Sequence, residues 1–443
     1  MLPAGPALHP LRQFLRFARQ PLAFLTECAH RYGDAFMLRL PGRPPLVLFS
    51  HPDAVREIFT RDGNEFGVAN VMAGALLGEH SLLRIEGDQH RRARRMMQPP
   101  FQADRLHAYG ELMRVVTDRS IDAWPLGPPF PLYPRMQEIA LDVILRAALG
   151  SAADADIARL RRRLMRLLSL GESPLTLLPA LLPWLRVDWG PLSPWGRLIR
   201  RAREVDAAVL AEIGRRRMRG LGSDILATLM GARDDSGCPM SDAQLKDQLV
   251  TILLAGHETT ATSLVWVIGS ILRHAQVREH LQEERLRVAG TTSVGPQHIP
   301  DLDYLDATVK EALRLNPILP LVARRLIGPM RIAGYDLPAG VDVAPCIYLA
   351  HRREDLWVEP ERFDPDRFLG KRPSPYAFFP FGGGTRFCLG AAFAMYEMKI
   401  VVAQILSRAA LSLAPGYALR VVRRTVTLAP AKGLPVVLES RAA

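Results

Sequence analysis

The sequence contains little cysteine, and the cysteines it has are not paired. Cys28, Cys238, Cys346 and Cys388 lie far apart, and no two of them form a CxxC pair. This spacing excludes a zinc site built on cysteine pairs and gives no disulfide framework. We therefore expect a protein that folds without disulfides in a reducing compartment.

The sequence also shows no pattern typical of a leader peptide or of a transmembrane helix. The first residues show no basic segment followed by an apolar core. The longest apolar segment, 245–274, carries the polar residues His257, Glu258, Thr259 and Thr260 at its centre. That interruption favours a helix buried in the protein core over a transmembrane helix. We expect a cytoplasmic protein without a membrane anchor.

Motifs for nucleic-acid binding are missing, although the charge invites that function. The formal net charge is +12, but lysine is scarce and the arginines are scattered along amphipathic stretches. No helix-turn-helix, zinc-finger spacing or basic strand with interleaved aromatic residues occurs. We expect no nucleic-acid partner, and the charge suits an acidic protein partner instead.

What is present is the composition of a globular, mainly helical protein. Of the 443 residues, 48% are hydrophobic and 23% are charged, which excludes a disordered chain. No linker divides the chain, so we expect a single domain over residues 1–443. The periodicity predicts mostly helices between 88 and 300, and short strands at 330–344 and 419–438. Further predictions are a helix at 11–32, a hairpin at 35–50, and helices at 52–61 and 303–315.

The most informative segment is the run FGGGTRFCLG, from Phe381 to Gly390. A thiolate such as Cys388 is a strong axial donor for a ferric porphyrin. Glycines at 384 and 390 let the backbone fold tightly and approach closely. Arg386 suits a propionate, and Phe381 would shield the proximal side from water. Backbone amides and a helix starting just after Cys388 would lower its pKa. The alternative is a buried free cysteine in a glycine-rich turn.

This run resembles the haem-binding signature of the cytochrome P450 family, F-x-x-G-x-R-x-C-x-G, at every fixed position. The resemblance is to the soluble bacterial type and covers nearly the whole chain. It implies the cytochrome P450 fold, mainly α with small β-sheets (α+β). It further implies haem b (iron protoporphyrin IX), held between the long central helix and the helix after the cysteine loop, with Cys388 as metal ligand.

The central helix carries a second motif of the family. Ala255-Gly256-His257-Glu258-Thr259-Thr260 resembles its oxygen-activating motif. Ala255 and Gly256 would leave room for dioxygen, Thr259 would donate a hydrogen bond, and Glu258 would relay protons from solvent. The alternative is an ordinary helix interior with a salt-bridged glutamate. We give His257 no catalytic role and expect it to be packed or solvent-facing.

A third motif, Glu311-Ala312-Leu313-Arg314, resembles the family's E-x-x-R. The i, i+3 spacing places the carboxylate and the guanidinium on one helix face. With a downstream arginine it would form a buried structural triad. Arg362 and Arg367 are both candidates for the third member, and the family pattern favours Arg367.

Further residues are assigned to the haem propionates by resemblance. His90 and Arg94 stand at the i, i+4 positions of a family helix, where many members have Trp in place of His90. Arg324 matches another propionate arginine. Arg91, Arg92 and Arg95 form either a solvated face or part of a docking surface for an acidic electron donor.

The sequence holds no source of electrons of its own. There is no nucleotide-binding GxGxxG after a strand and no ferredoxin-like cysteine cluster. A separate acidic redox partner is therefore implied, a ferredoxin or flavodoxin with its reductase. We expect the chain itself to be a monomer.

The resemblance places the substrate pocket in mostly aliphatic segments, which predicts a hydrophobic small-molecule substrate. A fatty acid, terpenoid, steroid or polyketide would fit. The segments are 69–83, 167–182, 253–259, 318–322 and the turn near Val426. The stretch 175–184 is either a lid over the entry channel or ordinary core.

The expected activity is insertion of one oxygen atom from dioxygen into this substrate. Two alternatives on the same fold are a peroxide-driven peroxygenase and an oxygen-independent isomerase. A third is a haem-binding sensor or carrier without turnover. The Glu258-Thr259 pair argues against all three, because such variants have no need of proton delivery.

Overall fold

The computed structural model describes the greater part of the chain, namely residues 2–61, 63–69, 76–150, 152–171, 187–188, 190, 193–220, 222–290, 292–424 and 427–442. The described α-helices are α1 (Pro10–Arg19), α2 (Pro21–Tyr32), α3 (Pro52–Thr60), α4 (Gly87–Met97), α5 (Ala103–Asp122), α6 (Leu132–Leu149), α7 (Asp154–Gly171), α8 (Pro194–Arg219), α9 (Ile225–Gly231), α10 (Asp242–Arg273), α11 (Ala275–Ala289), α12 (Asp303–Leu315), α13 (Ile347–Ala350) and α14 (Ala391–Arg408).

The strands are short and fall into small sheets. They are β1 (Ala35–Leu38), β2 (Leu46–Phe49), β3 (Phe66–Val68), β4 (Phe130–Pro131), β5 (Arg324–Leu326), β6 (Met330–Ile332), β7 (Tyr335–Leu337), β8 (Asp342–Pro345), β9 (Ala409–Leu413), β10 (Val421–Arg424), β11 (Thr427–Pro430) and β12 (Pro435–Arg441). One sheet has the order β1-β2-β8-β5-β3 and another the order β4-β12-β9, while β6 pairs with β7 and β10 with β11.

The contacts divide the chain into two compact units. One contains residues up to 67, residues 106–140 and residues from 258 onward, and therefore the sheets, α12 and α14. The other contains residues 68–105 and 141–257, and therefore α4 and α7 to α9. The prediction of a single domain over 1–443 stays a prediction.

Helix α3 is fixed to the first sheet by apolar packing in the first unit. Its buried residues Val55 and Ile58 share a cluster with Val47 of β2 and Val343 of β8. The neighbouring Phe59 is also buried in this cluster. The sheet therefore fixes the end of α3, which contacts the cysteine loop.

The hairpin and several helices lie where the sequence predicts them. Strands β1 and β2 pair antiparallel with Leu38 opposite Leu46. The predicted helix at 11–32 is two helices, because Pro21 lacks an amide hydrogen and takes the first position of a new helix.

The central helix α10 is continuous from Asp242 to Arg273. Its second half is lined with fully buried residues such as Ala261, Leu264 and Val265. This burial is what the sequence predicts for a core helix. In the described part of the chain no helix is long and apolar enough to cross a membrane.

Candidate functional site

The loop before α14 presents a thiol at its surface. The Cys388 amide donates to the Phe381 carbonyl oxygen over 3.0 Å, which closes the loop. Gly384 has a φ of 62°, a left-handed conformation that glycine adopts without steric cost. Cys388 is exposed, and Phe387 beside it is 42% exposed. Both residue types are usually buried, so this surface has the character of a binding site.

Close packing against α3 shapes this loop. A Cβ atom on Gly384 would lie 2.4 Å from the carbonyl oxygen of Phe59, and one on Gly383 would lie 2.2 Å from the Phe59 ring. The ring also meets Phe379 edge-on, with centroids 5.4 Å apart. Protein packing therefore requires glycine at 384. Phe59 helps to shape the site, and no motif in the sequence marked it.

Gly390 behaves differently from Gly384. It precedes α14 with a φ of −90°, which any residue can adopt. In the described chain no heavy atom lies within 4 Å of the position a Cβ would take. Neither strain nor packing requires glycine there. The predicted role of Gly390 in a tight fold of the loop is therefore not needed for this backbone, and the close approach of its backbone to a porphyrin stays a prediction.

Two arginines meet beside the loop. Arg324 donates to the carbonyl oxygens of Gly383 and, over 3.3 Å, of Ile58. Its guanidinium lies over the Phe59 ring, 5.2 Å from the centroid. Burial and, to a smaller degree, the positive charge of Arg386 lower the pKa of Arg324 to about 10. Two guanidinium groups close enough to repel each other favour an anion between them.

These groups fit an iron porphyrin. A thiol can ligate iron, and two guanidinium groups suit the carboxylates of the propionates. Among the residues that the structure describes, no cluster of three or more His, Cys, Asp or Glu could hold a metal ion.

The E-x-x-R pair lies on α12 and is fully buried. Arg314 Nε donates to Glu311 Oε2 over 2.6 Å, and neither side chain has any exposed area. The other N–H groups of Arg314 donate to Glu311 Oε1 and to the carbonyls of His351, Pro360 and Arg362. All five donors of this guanidinium are therefore used.

Arg367, and not Arg362, completes the triad. Arg367 Nε lies 3.4 Å from Glu311 Oε1, and its side chain is 11% exposed. Arg362 contributes only its carbonyl, and its guanidinium pairs with Glu359 on the surface. The family pattern therefore predicted the correct arginine of the two candidates, Arg362 and Arg367.

His351 joins the triad to the cysteine loop, which the sequence did not reveal. Its Nδ1 lies 3.2 Å from the Arg314 carbonyl oxygen, and its Nε2 accepts from the Phe379 amide over 3.0 Å. Burial lowers the pKa of His351 to about 3. The ring is therefore neutral, as an acceptor nitrogen at Nε2 requires.

In the second unit, the central part of α10 has an open face. Ala255 is exposed although it stands in a core helix, and a Cβ on Gly256 would lie 3.4 Å from Ile144. His257 is buried, and neither ring nitrogen has a hydrogen-bond partner among the described residues. Burial lowers the pKa of His257 to about 4. The packed alternative for His257 is therefore correct.

In the first unit, Glu258 is bound by a residue of strand β11. The hydroxyl of Thr427 lies 3.0 Å from Glu258 Oε1. Glu258 and Thr259 are both half-buried, and their carbonyls accept hydrogen bonds from Thr262 and Ser263 over 2.8 Å. The acid–alcohol pair lies on the central helix α10, as the sequence predicts.

His90 and Arg94 both lie on α4 in the second unit. His90 is buried and Arg94 is half-buried, four residues apart. Their assignment to the propionates stays a prediction.

The exposed arginines of α4 have acidic neighbours. Arg91 pairs with Asp88 on the same helix. Arg92 lies 3.9 Å from Asp234, and Arg95 lies 2.6 Å from Asp235. The positive charge of this face is therefore partly offset by carboxylates of the same unit.

One predicted pocket wall is fixed to α10 by side chains of that helix. Asp247 accepts from the His80 amide and Gln248 from the Leu82 amide, each over 3.0 Å. Thr251 donates to the Ser81 hydroxyl over 2.7 Å. Other walls lie outside the described residues, namely 70–75, 172–182 and the turn at Val426, and so does the whole stretch 175–184.

Comparison with known proteins finds relatives over nearly the whole chain. A model of the cytochrome P450 family matches residues 3–434. Cytochrome P450 135B1 of Mycobacterium tuberculosis is 40% identical, with 98% of this chain and 90% of the relative aligned. Cytochrome P450 138 of the same species is 33% identical, over 99% of this chain and 95% of the relative.

Solved structures support the same fold. The retinoic acid-bound cyanobacterial CYP120A1 superposes with a TM-score of 0.86 at 27% identity, over 99% of this chain and 100% of the other. The haem domain of cytochrome P450DA gives 0.86 at 24% identity, over 100% and 98%, a likeness that shows the fold alone. The predicted fold class is confirmed.

Proposed function

The chain belongs to the cytochrome P450 family, and on that premise we propose that it oxidises a hydrophobic small molecule with electrons from a separate ferredoxin and reductase. Family membership makes the chain a haem-dependent monooxygenase, with haem b as its cofactor. The observation that carries the proposal is the exposed Cys388 thiol in the loop that carries Arg386 and that Arg324 contacts at Gly383.

Residues of this chain would hold the haem as follows. Cys388 would ligate the iron, and Arg324, Arg386 and, on α4, His90 and Arg94 would bind the propionates. Phe381 keeps water from the thiolate, while Gly384 and Gly390 allow close approach of the backbone. When bound, the haem supplies the iron at which dioxygen is reduced.

Proton delivery falls to the acid–alcohol pair of α10. Ala255 and Gly256 carry no bulk that would exclude dioxygen. The Thr259 hydroxyl would donate a hydrogen bond to dioxygen, and Glu258 would pass protons to that hydroxyl from solvent. The balanced reaction is substrate-H plus dioxygen, two electrons and two protons, giving substrate-OH and water.

The substrate we propose is a fatty acid, terpenoid, steroid or polyketide. Aliphatic walls hold such molecules by shape, with few polar groups to orient them. CYP120A1, whose structure contains retinoic acid, is 27% identical to this chain. Retinoic acid, a terpenoid carboxylic acid, therefore belongs among the first compounds tested.

The proposal is tested by optical titration of the ferric holoprotein with one compound of each class, followed by turnover. A true substrate displaces distal water, shifts the spin state, and yields hydroxylated product with matching oxygen uptake when a surrogate ferredoxin and reductase are supplied. Turnover with hydrogen peroxide alone would establish the peroxygenase instead. Binding without oxygen uptake would establish the sensor or carrier.

We propose further that the electron donor is acidic and docks on Arg91, Arg92 and Arg95 of α4. The side chains of Arg92 and Arg95 are 59% and 62% exposed even though each has an acidic neighbour. The net charge of +12 favours encounter with a negative protein.

Reversing two of these charges should slow reduction by the donor. In an Arg92→Glu/Arg95→Glu variant we expect the rate of reduction by a ferredoxin to fall about 10-fold at low ionic strength, because electrostatic steering is lost. The difference should shrink at high ionic strength, where charges are screened. Stopped-flow reduction measures it.

The matched control is Arg331→Glu, which reverses an arginine that is 73% exposed and lies 3.9 Å from Asp336. This variant should be reduced at the wild-type rate. Equal slowing in both proteins would show a general effect of net charge and would exclude docking on α4.

We also propose a monomer in the cytoplasm. No disulfide bond joins any of the described cysteines, as is usual in a reducing compartment.

A further inference from the structure

A buried threonine on strand β11 contacts the acid of the oxygen-activating motif. Thr427 is 1% exposed. Its hydroxyl oxygen lies 3.0 Å from Glu258 Oε1 and 3.1 Å from the carbonyl oxygen of Arg424. A threonine hydroxyl has one proton to donate and can also accept, so its two neighbours compete for that proton.

The competition is decided by the charge of Glu258. When Glu258 is ionised, a bond from the Thr427 hydroxyl to the carboxylate is charge-assisted and stronger than one to the Arg424 carbonyl. When Glu258 holds a proton, its own O–H can donate to the Thr427 oxygen, and the Thr427 proton turns to Arg424. Every donor has an acceptor in both states.

The backbone that carries Thr427 is held without help from Glu258. Trp266 of α10 donates to the Leu428 carbonyl oxygen over 2.7 Å. The Leu428 amide donates to the Ile318 carbonyl oxygen over 3.0 Å. Strand β11 also pairs with β10 along its whole length. The hydroxyl is therefore a fixed point against which the Glu258 side chain is placed.

We propose that Thr427 is a positioning residue for Glu258 and helps to hold its carboxyl group in one place while that group gains and loses a proton. The inference rests on the proposed function, in which Glu258 is the proton relay. A relay acid that drifted on each change of charge would deliver protons slowly, and reducing equivalents would be lost as hydrogen peroxide.

The test compares Thr427→Val, which keeps the shape and removes the hydroxyl, with Thr427→Ser, which keeps the hydroxyl. For Thr427→Val we expect kcat to fall about 10-fold, with KM within about 2-fold of wild type. Losses of this size are typical when a residue that hydrogen-bonds a functional group is removed. Hydrogen peroxide should rise at the expense of product. Thr427→Ser should restore both. Unchanged kcat and unchanged coupling in Thr427→Val would overturn the proposal.

Two further proteins separate positioning from simple structural damage. In a Glu258→Gln background, Thr427→Val should cause no additional loss of kcat, because both changes act on the same group. Trp266→Phe removes a different side-chain hydrogen bond between α10 and β11. It should lower the midpoint of thermal unfolding without reproducing the peroxide release. An undiminished loss in the Glu258→Gln background, or the same peroxide release in Trp266→Phe, would overturn the proposal.

A readout without turnover distinguishes this inference from the proposed function. Thermal unfolding midpoints of wild type, Thr427→Val, Glu258→Gln and the double variant should be non-additive, because the two side chains share one hydrogen bond. Additive shifts would overturn the positioning role. If the wild type oxidised no compound, the proposed function would fail. The non-additive shift in the unfolding midpoints would still show whether Thr427 and Glu258 interact.

Discussion

A Cys388→Ser variant should lose the red-shifted Soret band of the ferrous carbon monoxide complex, together with its monooxygenase activity. Serine has nearly the same shape as cysteine, so the loop should keep its fold. An alcohol does not ionise near neutral pH and cannot donate electron density as a thiolate does. The loss of turnover should exceed the roughly 10–100-fold that removal of an outer partner costs at a metal site.

The control for this variant is Cys238→Ser, which changes another exposed thiol of the chain. Cys238 lies 3.9 Å from the carbonyl of Ser236 and takes no part in the candidate site. Its spectrum and activity should match the wild type. A red-shifted band that persisted in Cys388→Ser would show that another residue ligates the iron.

The parts of the site that the sequence predicted are those encoded within a few residues. Gly384, Arg386 and Cys388 lie within five residues of one another, so one loop contains a tight turn, a cation and a thiol independently of the rest of the fold. The spacing of Glu311 and Arg314 likewise places both groups on one helix face. Local geometry follows from local sequence, so motifs of this kind can be recognised without a structure.

The residues that the sequence missed act through contacts between distant segments. Phe59, His351 and Thr427 are ordinary members of a helix, a turn and a strand, and no neighbouring residue marks them. Their roles arise because packing brings them to the cysteine loop, to Arg314 and to Glu258. The same reason explains the arginines of α4, whose partners Asp234 and Asp235 lie on a distant loop.

Helix boundaries show the same division. The helix at 303–315 was predicted to the residue, because its apolar face and its ends are encoded locally. The predicted helix at 11–32 overlooked the effect of Pro21, which ends one helix and begins the next. The sequence does mark this boundary, because Pro21 is a known signal for the start of a helix.

Removing the carboxylate of the buried triad should have the largest effect on stability. Glu311→Ala leaves the fully buried guanidinium of Arg314 without its ion partner, and Arg367 loses the same neighbour. An uncompensated buried charge costs about 3–5 kcal/mol of the free energy of unfolding. Because Arg314 also binds the carbonyls of His351, Pro360 and Arg362, the coil before the cysteine loop should loosen, and haem content should fall.

The chain supplies a matched control for burial in Glu359 and Arg362. This pair has the same i, i+3 spacing and a 3.0 Å contact, but its side chains are 64% and 62% exposed. Glu359→Ala should cost less than about 1 kcal/mol, since water replaces the lost partner. The measurements are unfolding of both purified variants in guanidinium chloride, which gives the free energy of unfolding, and the haem content of each variant. Equal losses would contradict a structural role for burial in the triad, and normal haem content in Glu311→Ala would contradict its role in shaping the haem loop.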